Sequence, residues 1–177
     1  LVARSLIADH SGNWQTGAMC GRYVNVAASA DLTDEFDVEE VLGADPGPSW
    51  NVAPTDPVRM IVQRPPRDGG RAEAVRQLRT ARWGLVPSWS RDRKGAAKMI
   101  NARIETVTQK PAFKAAAARR RCLVPALGYY EWQKTDAGKI PHFLHDPGGH
   151  LLAMAGLYEL WRDPGLPDDD PDRWLWT

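Results

Sequence analysis

A cysteine directly behind a methionine, Met19–Cys20, is the feature of this sequence with the most specific chemistry. Translation from Met19 and removal of that methionine would leave Cys20 with a free α-amine. Its amine has a reference pKa of about 7.7–8.0 and its thiol one of about 8.5, so both are partly reactive at neutral pH. The amine attacks an aldehyde to give an imine, and the neighbouring thiolate then closes a thiazolidine ring. An internal cysteine would instead be a small buried thiol.

An extended segment, residues 99–106, carries an amide and a guanidinium two positions apart. Alternation places Asn101 and Arg103 on one face of this segment, opposite Ile100 and Ala102. An amide beside a guanidinium suits a site that positions a polar substrate next to a phosphate. The same pattern also describes an ordinary solvated strand face, and both interpretations stay open at this point.

Glu131 lies between Tyr130 and Trp132 in a Gly-Tyr-Tyr-Glu-Trp segment. A carboxylate surrounded by aromatic side chains is desolvated, which shifts its protonation into the range that a proton shuttle needs. We therefore consider Glu131 a candidate acid or base. A strand glutamate that faces water is the alternative.

The formal net charge of +1 conceals an uneven distribution along the chain. Residues 59–121 contain 17 Lys and Arg against four acids, whereas the segments on either side are both net acidic. Trp83 and Trp89 lie in this basic segment, and rings interleaved with cations are how proteins hold single-stranded nucleic acid. We expect Trp89, in a loop, rather than Trp83, in a strand, to contact bases. Alternatively, folding interleaves the segments and their charges pair with one another.

The elements that must position these residues are mostly short strands separated by turns. The sequence predicts helices at 29–42 and 110–121, and strands at 58–63, 74–83, 122–125, 128–133, 141–145, 151–160 and 173–177. This order is typical of a single α+β domain, with a mostly antiparallel, barrel-like or sandwich-like β-sheet and a few helices.

The composition also predicts the cellular location of the protein and whether it binds a metal or another cofactor. No apolar run approaches the roughly 18 residues that a membrane helix needs, and polar residues interrupt the first 18 positions where a secretory signal would be continuous. We expect a cytoplasmic protein that is a monomer and has no membrane partner. Cys20 and Cys122 offer no paired-thiol spacing, and three histidines between residues 142 and 150 fit a turn better than a metal site. We expect no metal and no other cofactor.

Seven blocks of the sequence, in this order, are similar to the SOS response-associated peptidase (SRAP) family. Any one block is weak, whereas the ordered set is specific, and the resemblance runs from Met19 to the end of the chain. The blocks are Cys-Gly-Arg-Tyr at 20–23, Asn-Val-Ala-Pro-Thr at 51–55, Trp-Gly-Leu-Val-Pro at 83–87, Ile-Asn-Ala-Arg at 100–103, Arg-Cys-Leu-Val-Pro-Ala at 121–126, Gly-Tyr-Tyr-Glu-Trp at 128–132 and Ala-Gly-Leu-Tyr-Glu at 155–159.

The resemblance implies an enzyme of the DNA damage and SOS response that senses abasic sites in single-stranded DNA. Such a protein forms a covalent DNA–protein crosslink, a thiazolidine between its N-terminal cysteine and the ring-opened sugar aldehyde. The peptidase label of the family refers to removal of the residues ahead of that cysteine, an activity attributed to the protein itself.

The resemblance also implies roles for individual residues. Cys20 is the nucleophile, Asn101 holds the geometry of the active site, and Glu131 assists proton transfer. Three further side chains are expected to contact DNA: Arg22 and Arg103 at phosphates, and Trp89 at the bases beside the lesion.

The sequence departs from the family pattern at both ends. Residues 1–18 precede Met19 and would block the amine if retained, so we interpret them as an upstream extension outside the mature protein. Residues 19–177 are the SRAP-like domain. The family has a catalytic histidine in a later His-x-Arg-Met-Pro-like block, and the sequence stops before such a block. We therefore expect this domain to be incomplete at its C-terminus.

Two other functions stay open on the sequence. A cysteine peptidase acting on protein substrates through Cys20 would need a histidine base, and none of the four histidines is a persuasive partner. A non-catalytic module that binds single-stranded DNA would need only the basic charge and the aromatic rings. Blocking the α-amine of Cys20 separates the first function from these two, because only thiazolidine formation uses that amine.

Overall fold

The structure is a computed structural model that describes residues 20–65 and 73–177 in full and, upstream, only the backbone of three short strands. Its helices are α1 (Ser29–Glu35) and α2 (Pro111–Arg119). Its strands, in chain order, are β1 (Val2–Ala3), β2 (Ile7–Ala8), β3 (Trp14–Gln15), β4 (Arg22–Asn25), β5 (Glu40–Leu42), β6 (Ser49–Val52), β7 (Pro57–Arg64), β8 (Val75–Arg82), β9 (Ala102–Arg103), β10 (Arg121–Ala126), β11 (Gly128–Thr135), β12 (Gly138–His145), β13 (Leu152–Leu157), β14 (Leu160–Arg162) and β15 (Trp174–Trp176).

Two open sheets form the body of the molecule. The larger has the order β13-β10-β7-β8-β5 and the smaller the order β12-β11-β4-β6. All neighbours in these sheets are antiparallel except β5 and β8, which run parallel. The prediction of an α+β fold with mostly antiparallel sheet is therefore confirmed.

One apolar core joins the two sheets. It takes Tyr23 and Val52 from the four-stranded sheet, and Met60, Ala81 and Val124 from the five-stranded sheet. Burial of apolar side chains stabilises a fold by about 25 cal/mol for each Å² removed from water, so this shared core holds the sheets together. Cys20, two residues before β4, belongs to the same cluster, so the candidate nucleophile packs against the interior.

The predicted helix at 29–42 is wrong in its second half. Helix α1 ends at Glu35, and Asp37 adopts a positive φ of 48°, which a continuing helix cannot accommodate. The chain then runs beside β8, where the Glu39 amide donates to the Arg76 carbonyl over 2.9 Å and β5 continues the pairing. A free edge of β8 thus outweighs the modest helix propensity of a segment rich in β-branched valine.

The predicted strand at 151–160 is two strands. Between β13 and β14 the chain turns, and the amides of Tyr158 and Glu159 donate to the carbonyls of Arg120 and Thr177 instead of continuing a ladder. Strand β14 then pairs with β15 in antiparallel register. None of the helices that the structure describes is long and apolar enough to cross a membrane.

Candidate active site

Cys20 lies immediately before β4, and only 4% of its surface is exposed. Its thiol donates a hydrogen bond to the Arg22 carbonyl oxygen over 3.2 Å. Burial, with a smaller contribution from the negative charge of Glu131, raises the pKa of the Cys20 thiol to about 11, although the hydrogen bond to the Arg22 carbonyl acts in the opposite direction. The thiol is therefore protonated at neutral pH in this environment.

Asn101 contacts Cys20 directly, although 81 positions separate the two residues. The Asn101 Nδ2 group donates to the Cys20 carbonyl oxygen over 2.6 Å. Its other side-chain atom, Oδ1, is buried and accepts no hydrogen bond from the described residues. The amide thus fixes the Cys20 backbone with one atom and keeps an acceptor available with the other.

The Trp83–Gly84 block holds the Asn101 segment in place. The buried Trp83 packs edge-on against Tyr23, with ring centroids 5.3 Å apart, and its indole Nε1 donates to the Ile100 carbonyl over 3.0 Å. Gly84 has a φ of +123°, and a Cβ there would lie 2.6 Å from the Ala96 carbonyl oxygen. Only glycine allows this approach, so the block sets the path of the chain that leads to Asn101.

Glu131 is buried on β11, with 3% of its surface exposed. Strand β11 pairs with β4 so that Tyr129, two positions from Glu131 and on the same face of the strand, lies opposite Tyr23. Burial raises the pKa of Tyr129 and the charge of Glu131 raises it further, as it does at Cys20. The carboxylate is therefore buried beside the thiol, on the face of Tyr129 rather than on that of its sequence neighbours Tyr130 and Trp132, and its part in proton transfer stays a prediction.

The three residues expected to contact DNA lie on three different elements of the fold. The Arg22 Nη1 group donates to the Asn51 Oδ1 atom over 2.9 Å, on the edge of the four-stranded sheet. Arg103 is exposed on β9, and Trp89 lies in a turn with 67% of its surface exposed. Trp83 is buried, so the two tryptophans divide between core and surface in the predicted way, while the DNA contacts themselves stay predictions.

The sequence interpretation missed one residue of this site. Asn51 had no predicted role, yet its side chain orients Arg22. The one available signal was its place in the Asn-Val-Ala-Pro-Thr block. That signal names no partner, because Arg22 lies on a different strand.

Part of the basic segment pairs with the acidic flanks. Arg59 is buried against Asp45 and Asn25, and three further cations of the segment form ion pairs with acids outside it. These pairs are Arg76–Asp37, Arg93–Asp163 and Arg120–Glu159. The two interpretations of the charge pattern are therefore both partly realised: some cations are structural, and others, including Arg103, stay exposed.

The histidines of the described residues belong to the β12 hairpin and its turn. A ring nitrogen of His142 contacts Gln133, and one of His145 contacts the Asp146 carbonyl. In residues 20–65 and 73–177, no three His, Cys, Asp or Glu side chains come together as metal ligands would.

Comparison with known proteins identifies the family to which the chain belongs. The family model described as SOS response associated peptidase (SRAP) matches residues 19–177. Among curated proteins, the chain is 41% identical to the abasic site processing protein YoaM of Bacillus subtilis, over 81% of the chain and 60% of that protein. It is 38% identical to the abasic site processing protein YoqW, also of Bacillus subtilis, over 82% of the chain and 62% of that protein.

A solved structure shares the fold. A crystal structure of a protein from Bordetella bronchiseptica superposes with a TM-score of 0.69 at 25% identity, covering 89% of this chain and 69% of that one. The chain thus spans about three fifths of the curated relatives' length and most of the fold of this solved structure. Because the family model covers nearly the whole chain, the protein belongs to the SOS response associated peptidase (SRAP) family.

Proposed function

We propose that this protein recognises abasic sites in single-stranded DNA and crosslinks to them through Cys20. The observation that carries this proposal is the hydrogen bond from Asn101 to the Cys20 carbonyl, made beside the buried charge of Glu131. The names of the curated relatives supply the substrate class, abasic DNA. The exposed cations and rings near the site supply a means of holding a single strand.

The proposed reaction joins the α-amine and the thiol of Cys20 to one aldehyde carbon. The amine adds to the ring-opened sugar aldehyde to give a carbinolamine, which loses water to become an imine. The thiol sulfur then adds to the imine carbon, and its proton ends on the ring nitrogen. One aldehyde, one amine and one thiol thereby give one thiazolidine and one water.

The neighbouring residues have separate tasks in this scheme. Glu131 relays a proton from the nitrogen of the carbinolamine to its hydroxyl, which leaves as water, and later relays the thiol proton to the ring nitrogen. Asn101 fixes the Cys20 carbonyl, and its free Oδ1 acceptor is available to the amine or to the carbinolamine hydroxyl. Because the sulfur closes the ring on the imine carbon, the amine acts first and the thiol second.

The proposal requires that the residues ahead of Cys20 be absent from the working protein. While they are attached, the Cys20 nitrogen is an amide, which is not basic and forms no imine. Translation from Met19, or self-cleavage before Cys20, would release the amine. The backbone of β1 pairs with β9 beside Asn101, so this segment also lies next to the proposed site.

The cysteine peptidase alternative finds less support in the site. An activated peptidase cysteine has a lowered pKa beside a positively charged partner. Cys20 has the opposite environment, with burial and a carboxylate both raising its pKa. Self-removal of the upstream residues stays part of the proposal, while cleavage of other proteins does not.

The deciding experiment compares three forms of the protein with single-stranded DNA that carries one abasic site. The first begins at Met19 and continues through the full downstream reading frame, the second is the same protein with Cys20→Ser, and the third keeps residues 1–18. We expect a heat-stable adduct on a denaturing gel for the first form only. Cys122→Ala is the control, because it removes the other buried thiol and should still react.

Intact-mass measurement makes this result specific. The adduct mass should equal protein plus DNA minus one water, on a chain that begins at Cys20. A stable adduct on Cys20→Ser, or on protein that still carries residues 1–18, would show that the amine and thiol are dispensable and would overturn the proposal.

A further inference from the structure

We infer that the outward face of the four-stranded sheet binds undamaged nucleotides next to the abasic site by stacking bases on a row of aromatic side chains. This inference rests on the proposed function and adds a second contact region to it. We call this surface the aromatic face, and its central residues are Tyr130, Trp132, Phe143 and His145.

The strand register aligns this face across the sheet. Tyr130 of β11 lies opposite Arg22 of β4 on one side and opposite Phe143 of β12 on the other. Residues directly opposite in antiparallel strands project from the same side of a sheet. Tyr23 and Tyr129, one position away on each strand, pack against the core, so Arg22, Tyr130 and Phe143 project away from it.

The aromatic side chains of this face form one continuous row. Ring centroids lie 6.4 Å apart between Trp132 and Tyr130, 5.2 Å between Tyr130 and Phe143, and 5.2 Å between Phe143 and His145. A flexible single strand can therefore place successive bases on successive rings.

Solvent exposure of these rings supports a binding role. The exposed fraction is 36% for Trp132 and 39% for Phe143, and His145 is exposed as well. Gly128 allows the Phe143 ring to pack against the backbone of β11. A Cβ at this position would lie 2.6 Å from a carbon of that ring, so a larger residue would push the ring away. Gly128 thus lets the Phe143 ring pack closely across the hairpin while part of that ring stays exposed to solvent.

Charge on the same face favours a polyanion over an apolar protein partner. The outward positions of β4, β11 and β12 include the cations Arg22, Lys134 and Lys139 and no carboxylate. The acid of this region, Glu131, projects to the opposite side. Phosphates can therefore approach the aromatic face without meeting a negative charge.

The aromatic face lies on the other side of the four-stranded sheet from Cys20 and Glu131, which pack toward the core, and Arg22 is its nearest cation to Cys20 in sequence. Arg22 is two residues from Cys20, and Trp132 follows Glu131 directly. The Asn51 side chain holds the Arg22 guanidinium in place at this boundary. In this inference, a strand whose abasic sugar is at Cys20 passes Arg22, which contacts a phosphate, and continues onto Tyr130 and Phe143 on the other side of the sheet.

Two binding measurements test this inference. The first is the affinity of undamaged oligothymidine for the parent, for Tyr130→Leu/Phe143→Leu, and for Trp174→Leu as control. Leucine keeps apolar volume and removes the ring, and Trp174 is an exposed tryptophan of the β14–β15 pair, away from this face. We expect the double variant to bind about fivefold or more weakly, the low end of ring–base stacking, and the control to bind like the parent.

The second measurement is photocrosslinking of an oligothymidine that carries one 5-iododeoxyuridine, followed by peptide mass spectrometry. Adducts on residues 130–145 support the inference, and a thermal melt of the double variant shows that it is folded. Equal affinity of the double variant and the control, or photoadducts only elsewhere, would overturn it. If the parent still forms the Cys20 adduct in that case, the inference about the aromatic face is refuted, whereas the proposed function is not.

The opposite combination of results also separates the inference from the proposed function. Loss of oligothymidine affinity in the double variant, with no abasic adduct on any form of the protein, would leave the aromatic face as a DNA-binding surface. It would at the same time refute the crosslinking function.

Discussion

The proposed reaction centre and the DNA-contact residues around it differ most in their access to water. Cys20 and Glu131 are buried and belong to elements that pack on the shared core. Trp89 and Arg103 stand in solvent on a turn and on a two-residue strand. Tertiary contacts fix the position of Cys20 and Glu131, whereas the side chains of Trp89 and Arg103 are surrounded mainly by water.

This difference predicts two kinds of mutational effect. In a desolvated centre, a lost hydrogen bond or charge changes the reaction rate strongly, because water cannot replace it. At an exposed residue, salt and water screen each interaction, so a substitution changes affinity by a small and salt-dependent amount. The following experiments test whether the two regions separate in this way.

The largest effect is expected for Glu131→Gln in the form that begins at Cys20. Glutamine keeps the shape of the side chain and cannot transfer the proton, so crosslinking should slow by about 10²- to 10⁴-fold. DNA affinity should stay near the parental value. Single-turnover experiments on a denaturing gel measure the crosslinking rate, and fluorescence anisotropy measures the DNA affinity. Glu105→Gln, on the exposed turn after β9, is the matched control; an equal rate for both variants would remove Glu131 from the mechanism.

The pH dependence of thiol alkylation should show the next largest effect. In a Cys122→Ala background, iodoacetamide reports on Cys20 alone. Because the thiol pKa is raised to about 11 from 9.0, its reactivity should keep rising to about pH 11. At pH 8 it should be about 100-fold below that of an unburied thiol, since two pH units separate the two ionisations.

The sign of the linked stability effect follows from the same pKa. The folded state holds the Cys20 proton more tightly than the unfolded state, so this contribution to stability is complete below pH 9 and is lost as pH rises through 11. Alkylation that is already maximal below pH 8 would reveal a stable thiolate, and would favour the cysteine peptidase over the amine-first mechanism.

Asn101→Ala should have an intermediate effect. It removes the donor to the Cys20 carbonyl and leaves a buried acceptor unpaired, which costs about 1–3 kcal/mol, or roughly 5- to 150-fold in crosslinking rate. The salt dependence of DNA binding should not change. If Asn101→Ala alters that salt dependence and spares the rate, the residue belongs with the exposed contacts and the comparison fails.

The smallest effect is expected for Arg103→Ala. Loss of one phosphate contact should flatten the slope of log affinity against log salt by about 0.7, the value for a single strand. The crosslinking rate at saturating DNA should not change. Arg76→Ala is the control, because that guanidinium already pairs with Asp37. An unchanged slope for Arg103→Ala would make Arg103 structural.

Much of the local structure was predictable from residue types. Strands β7, β8, β10, β11 and β12 lie where alternation and turn residues placed them, because those signals are carried by neighbours in sequence. The second half of the predicted first helix failed for the converse reason. Residues 40–42 are a strand only because β8 offers them an edge, and that edge comes from 35 or more positions further along the chain.

The candidate site shows the same division between features that residue types predict and features that depend on contacts distant in sequence. The sequence by itself determined the reactive groups, namely a cysteine behind a methionine, an Asn-x-Arg pair and a glutamate among aromatic residues. Only the tertiary structure decided that the Asn101 amide meets the Cys20 carbonyl and that Glu131 is buried beside the thiol. It also decided that Asn51 holds Arg22, and that Tyr130 and Phe143 share one face. Residue type is a property of each position, whereas burial and contact depend on how strands distant in sequence pair and pack.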